Sequence, residues 1–200
     1  MTKIGIVCAM SEEVEKIVTS FDLKSVDEHL PYNIFKNQQI ILIESSIGKV
    51  SSTLATSLLI ERYSVDRLIN IGLAGALKPI ATGSAYFVNS VTQHDAFIPF
   101  LEYQNDLYQK INCLVPDNVD NSLTLTTGDQ FIDNTNKVTN DADIVDMEGF
   151  AVAYVAKKYK LPITVIKGIS DDANNSSKQE LFKNLNIAMD QTIKLLKQVI

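Results

Sequence analysis

Arginine is almost missing from this chain: Arg62 and Arg67 are the only two, and they sit close together around an expected helix end. Guanidinium forks are the common grip on phosphates and carboxylates, so such a chain has few means of holding a free phosphate that way. Positive charge is also outweighed overall, with 18 Lys and Arg against 24 Asp and Glu and a formal charge of −6, which argues against a nucleic-acid surface. Cysteine is scarce too. Cys8 and Cys113 show no metal or disulfide spacing, and Cys8 lies in an apolar strand as a buried thiol would, so a reducing cytoplasm is the expected setting. No stretch approaches the ~18–20 apolar residues of a membrane span. The N-terminus MTKIGIVCAM lacks a cationic region followed by a long apolar core, so no signal peptide is expected.

What is present, 46% hydrophobic and 21% charged residues, fits one ordinary globular domain spanning residues 1–200. Lys3–Cys8 reads as a short buried strand. Ser11-Glu12-Glu13 opens a helix, with Ser11 as N-cap and Val14, Ile17, Val18 and Phe21 at helical spacing. Asn33–Lys36 and Gln39–Ser45 form a hairpin about Asn37-Gln38, and the glycine-containing loop Ser45–Lys49 feeds a helix from about Val50 to Arg62. Strands follow at Arg67–Ile71, Ser84–Val88, Val91–His94, Ser122–Thr127 and Asp143–Asp146, then a helix over Phe150–Lys160. An Ile/Thr/Val-rich strand starts at Ile163 and stops at Lys167. The capping-box spacing of Ser177-Lys178-Gln179-Glu180 precedes a long amphipathic helix. Without repeats or low-complexity linkers, this alternation predicts an α/β fold: a three-layer single domain with a central mixed sheet flanked by helices. Ala96–Val119, with Phe97, Phe100, Tyr103 and Tyr108, reads either as a cover over a pocket or as part of a subunit interface.

Carboxylates recur just past the expected strands: Glu13 after the first, Glu148 in Met147-Glu148-Gly149, and Asp171 at the end of ITVIKGISDD (Ile163–Asp172). Open α/β sheets bind ligands at the carboxyl ends of their strands, so a shared site is expected there. Simpler readings exist for each. Glu12 and Glu13 suit the dipole of a helix N-terminus, and Ser170–Asn175 suits a solvated loop. Three carboxylates would also serve a divalent cation as hard oxygen ligands. The loop around Gly48 offers backbone N–H groups to an anion or hydroxyl. Gly72–Leu77 supplies small residues where something must approach the backbone, but it lacks the G-x-G and following helix of a dinucleotide fingerprint. The pair His94-Asp95 would serve as an acid–base or metal site, or as structure.

Six segments in order resemble the 5′-methylthioadenosine/S-adenosylhomocysteine nucleosidases of the nucleoside phosphorylase superfamily: Ile4–Val14, Ser45–Val50, Ile69–Leu77, Gly128–Ile132, Val145–Ala153 and Ile169–Asp171. The resemblance covers nearly the whole chain and implies a nucleoside phosphorylase-like fold, usually as a homodimer, acting on a small nucleoside without metal or cofactor. It implies that Asp171 protonates the departing adenine at N7, that Glu13 orients and deprotonates the attacking water, and that Glu148 holds the ribose hydroxyls above Met147. Phe131 and Ile132 match the purine-binding positions, Met10 and Ile47 the pocket lining, and Ser170 the hydroxyl that supports the acid. Cleaving an N-glycosidic bond passes through an oxocarbenium-like sugar, which accounts for one carboxyl that gives a proton and another that stays ionised beside its water.

Two departures stand out. Lys167 replaces an arginine the family usually carries near the water, and Leu73 replaces a frequent serine. Both lie where phosphorylase relatives hold phosphate, so hydrolysis is favoured over phosphorolysis. The chain is also shorter than the usual member, with the shortening falling in Ala96–Val119. The competing readings are a futalosine-type hydrolase, a purine nucleoside phosphorylase, and a nucleoside-binding protein that keeps the fold without the chemistry.

Overall fold

Strand β5 (Arg67–Ala76) is the spine of the domain, because three different strands pair with it. The computed structural model describes residues 2–26, 30–96, 109–174 and 176–200. On one side of β5 lies β1 (Ile4–Cys8), followed by β4 (Ile40–Glu44), both parallel to it; on the other lies β10 (Ile163–Asp171), also parallel. The short strands β2 (Lys24–Ser25) and β3 (Ile34–Lys36) continue the sheet beyond β4 in antiparallel sense, β3 and β4 forming the expected hairpin. Beyond β10 come β6 (Ala85–Gln93), antiparallel to it, then β8 (Ser122–Thr127) and β9 (Ile144–Asp146). The last of these returns to pair with the end of β5 at Gly75 and Ala76, so the mixed sheet closes on itself in a circuit β5–β10–β6–β8–β9. A two-residue strand, β7 (Ile111–Asn112), pairs with β6.

Residue alternation explains the layers. Along β1, Ile4, Ile6 and Cys8 point into one apolar cluster with Val14 and Ile17 of helix α1 (Ser11–Ser20) and Ala188 and Met189 of α4 (Ser177–Leu196). Val7 points to the opposite cluster, packed with Ala55 and Leu59 of α2 (Lys49–Tyr63) and Val152 and Val155 of α3 (Gly149–Tyr159). This is the three-layer mixed α/β domain that the alternating pattern predicts. The sheet is crowded on both sides: a Cβ on Gly168 would lie 2.5 Å from Thr192 Oγ1 and one on Gly5 2.9 Å from Leu59 Cδ2. Each fully buried Ile, Leu or Val in these clusters contributes roughly 1.5–3 kcal/mol, and the walls of the site are anchored to that packing.

Several boundaries differ from expectation, each for a physical reason. Strand β5 does not end at Ile71; it runs five residues further, with Gly72 and Gly75 leaving room for carboxylates against the backbone. The two strands expected at Ser84–Val88 and Val91–His94 are one strand, β6, with its register to β8 shifted between Val88 and Ser90, as a β-bulge requires. Strand β10 does not stop at Lys167 but continues, buried throughout, to Asp171. Helix α1 is capped at Met10, with Ser11 already helical, and α4 at Ser176, whose hydroxyl donates to Glu180, leaving Ser177 buried in the first turn. Residues 97–108, the aromatic part of Ala96–Val119, lie outside the described residues.

Candidate active site

The carboxyl ends of β1, β5 and β10 frame a cleft with a cavity volume of about 110 Å³. Met10, Glu13, Ile47, Phe131, Ile132, Met147, Glu148, Ser170 and Asp171 all line it. Lys167 does not. It was expected to meet substrate because it matches the family's arginine near the water; in the structure it reaches the same region from beneath, with its side chain buried against Asp146.

Glu13 stands at the third position of α1 and folds back over the helix start. Its Oε2 accepts from the Met10 N–H at 3.1 Å and the Cys8 thiol at 3.4 Å, and its Oε1 accepts from the Leu73 N–H at 2.8 Å. The side chain therefore caps the helix and faces the cleft at once. It rests directly on β5: a Cβ on Gly72 would be 3.2 Å from Oε1. Glu13, expected to stay ionised beside its water, is buried to 3% exposure. Burial raises its carboxyl above the ordinary range, and the amides of Leu73 and Met10, the Lys167 charge and the Cys8 thiol offset only part of that.

Asp171 ends β10 and is 2% exposed, whereas its neighbour Asp172 is solvent-exposed loop. Its Oδ2 accepts from the Ser170 hydroxyl at 2.7 Å, and its Oδ1 from the Ala173 N–H at 3.0 Å. That second bond depends on a turn in which Ala173 takes φ 51°, the left-handed region a residue with a Cβ rarely adopts. Gly75 of β5 leaves the space, since a Cβ there would approach Oδ1 to 2.9 Å. The small residues of Gly72–Leu77 thus make way for the chain's own two carboxylates.

Glu148 precedes α3, and its Oε1 accepts from the Gly48 N–H at 2.9 Å, so the anion met by the Gly48 loop is this side chain. Burial, then the Asp146 charge, push the Glu148 carboxyl up to about 8, while Lys167 and the Gly48 amide pull the other way. Beside it Asp146 and Lys167 form a buried ion pair at 2.7 Å, each side chain 1% exposed. Asp146 also accepts from Thr127 Oγ1 at 2.6 Å and from the Gly149 N–H at 2.8 Å. Burial by itself would lower the Lys167 ammonium, but the charges of Asp146, Glu148 and Glu13 outweigh it and hold it above its ordinary value. Sequence reasoning passed over Asp146, which reads as the end of a strand; the signal was a lone lysine in an otherwise apolar strand, which requires an anion nearby.

The pair His94-Asp95 takes no part in the cleft lining. Asp95 is bound to Lys49 Nζ at 2.6 Å, and His94 packs over Gly128, where a Cβ would meet its Nε2 at 2.3 Å. Among the described residues no group of three or more His, Cys, Asp or Glu is arranged to hold a metal ion.

A family model described as the Phosphorylase superfamily matches residues 3–126 and 122–200. A 5′-methylthioadenosine/S-adenosylhomocysteine nucleosidase of Shewanella loihica is 30% identical over 88% of either chain. An aminodeoxyfutalosine nucleosidase of Helicobacter pylori is also 30% identical, over all of this chain and 99% of that one. The crystal structure of a Helicobacter pylori nucleosidase mutant with 5′-methylthioadenosine in its active site superimposes with a TM-score of 0.86 at 25% identity, covering 99% of this chain and 97% of the other. A match through both halves of the sequence, with relatives of this similarity along its length, makes the chain a member of the phosphorylase superfamily, among its nucleosidases.

Proposed function

We propose that the protein hydrolyses the N-glycosidic bond of 5′-thioadenosine nucleosides, methylthioadenosine and S-adenosylhomocysteine, releasing adenine and a thioribose without metal or cofactor. The observation that carries this reading is the convergence of Glu13, Glu148 and Asp171 on one cleft, each with its oxygens aimed by hydrogen-bond donors. A binding module needs no such set.

The division of labour follows from the surroundings. Asp171 delivers the proton to N7 of the leaving adenine. Ser170 suits both states of that acid: its hydroxyl donates to Oδ2 when Asp171 is ionised, and can turn to the Ala74 carbonyl, 3.4 Å away, to accept from the protonated acid. Glu13 takes the proton of the attacking water. Its raised basicity strengthens it for that task, and three donors fix its plane. Glu148 holds the ribose hydroxyls, Met147 packs below the sugar, and Phe131, 43% exposed at the mouth, offers a face to the purine, with Ile132 supplying backbone hydrogen bonds. Met10 and Ile47 close the apolar side, and Lys167 acts from beneath through Asp146.

A second reading within the same chemistry is hydrolysis of aminodeoxyfutalosine, favoured by relatives of that name at the same 30% identity. We further propose that two copies pair through Ile47, in the loop before α2, and Val50 and Leu54 at its start, which are 54%, 80% and 57% exposed. The free thiols of Cys8 and Cys113 suit a cytoplasmic setting. The test is to incubate the protein with methylthioadenosine, S-adenosylhomocysteine and aminodeoxyfutalosine, with and without phosphate, and measure free adenine. Release from the thioadenosines at a rate indifferent to phosphate is expected. Release only from aminodeoxyfutalosine selects the second reading, phosphate-dependent release a phosphorylase, and no release from any a binding protein.

A further inference from the structure

Lys49, the first residue of α2, sits apart from the three carboxylates and ties together three separate segments beside the cleft. Its Nζ lies 2.6 Å from Asp95 Oδ1, 3.1 Å from Gln93 Oε1 and 3.6 Å from Asp129 Oδ2. Its own N–H donates to Asp129 Oδ1 at 2.9 Å, and the Asp129 N–H donates to Asp95 Oδ2 at 2.8 Å. A closed ring of charge-assisted bonds therefore joins three segments that are distant in sequence. The first carries Ile47 and the Gly48 amide that holds Glu148; the second is the end of β6; the third leads from Asp129 into Phe131 and Ile132.

We propose that Lys49 and Asp95 form a clamp that positions the Phe131–Ile132 wall against the Ile47–Gly48 wall and so sets how tightly the cleft holds its ligand. The surroundings fit a device of fixed geometry. The Lys49 side chain is 19% exposed and that of Asp95 29%, well shielded for an ion pair at a cleft rim. Burial would raise the Asp95 carboxyl, but Lys49 and the Asp129 amide hold it below its ordinary range. The ring also has little slack: Gly128 must be glycine for His94 to pack on it, and a Cβ on Gly48, whose φ is +101°, would come 3.4 Å from Asp129 Oδ1. A rim ion pair without this role would stiffen nothing beyond its own side chains.

The proposal rests on the cleft being the ligand site, and the test separates the two. Lys49→Met keeps the aliphatic stem and removes the charge, while Lys49→Arg can still reach both carboxylates. Amide hydrogen exchange in the ligand-free protein is expected to quicken over residues 45–49 and 128–132 in Lys49→Met and to return to parental rates in Lys49→Arg. With methylthioadenosine, KM is expected to rise about tenfold in Lys49→Met with kcat within about twofold, because the walls hold ground and transition states alike. Should Lys49→Met not fold, Asp95→Asn breaks the same ring with the lysine in place. Unchanged exchange over 128–132, or a fall in kcat at constant KM, overturns the clamp. If the parent cleaves none of the nucleosides, the nucleosidase reading fails by itself; the exchange rates, together with adenine binding by calorimetry, still decide the clamp.

Discussion

Glu148 makes the buried charge of the cleft measurable. Glu13, Asp146, Glu148 and Asp171 bring four carboxyls into a space whose cation is Lys167, so the fold gains if one of them carries a proton. Burial and the Asp146 charge select Glu148, displaced from 4.5 to about 8. For a carboxyl raised in the folded state, the stabilising contribution is complete below about 4.5 and is lost as pH climbs through about 8. At 1.36 kcal/mol per pH unit the whole displacement amounts to roughly 5 kcal/mol, an upper bound because Lys167 and Asp146 share in it. Glu148→Gln holds the side chain neutral at every pH and keeps an oxygen for the Gly48 N–H. Urea unfolding at fixed protein concentration, followed by circular dichroism from pH 5 to pH 9, reads the effect. Parent and variant should match near pH 5, and the variant should be the more stable by several kcal/mol at pH 9. Glu13, also raised, and His94, lowered by burial, titrate in both proteins and largely cancel in the difference. Parallel stability curves would refute the assignment of the proton to Glu148.

Asp171→Asn should lower kcat by about 10²–10⁴-fold with an unchanged circular dichroism spectrum, because an amide keeps the shape but has no proton to give. Lys167→Met should cost about 3–5 kcal/mol in a thermal melt by stranding Asp146, and Lys167→Met combined with Asp146→Leu should recover much of it; equal loss in both would show that the pair is not the cause. Val50→Glu places a charge in the exposed stripe of α2 and should shift the light-scattering mass from two copies to one; an unchanged mass would move the interface elsewhere.

The order of strands and helices was readable because apolar periodicity reports on burial, and burial is what the sheet and its two helical layers share. Reading failed where a residue's meaning depended on a partner far away in sequence. Gly72, Ala74 and Gly75 announced a close approach, and a loop was the natural inference; the approaching groups are Glu13 and Asp171, and β5 continues as strand beneath them. Ser11 had the chemistry of an N-cap, but Glu13 accepts the Met10 N–H that begins the helix, displacing the cap by one residue. Asp171 and Asp172 are adjacent and identical in type. Only the pairing of β10 with β5 turns one inward and leaves the other in solvent.

Lys167 and Leu73 now bear differently on the choice between water and phosphate as nucleophile. Each first reads as a weakened phosphate contact, a fork reduced to an ammonium and a hydroxyl lost. In the structure the donors at both positions already have partners: the Leu73 N–H binds Glu13 and the Lys167 ammonium binds Asp146. Neither arginine lines the cleft, and Arg67 donates instead to the Val199 carbonyl. A phosphate entering beside Glu13 would meet an anion with the Asp146 charge behind it, and would have to displace a buried ion pair to gain a cation. A neutral water meets no such barrier and finds in Glu13 a carboxylate already aimed by three donors. The preference for hydrolysis therefore follows less from which residues replaced the arginine and the serine than from how completely their donors are occupied.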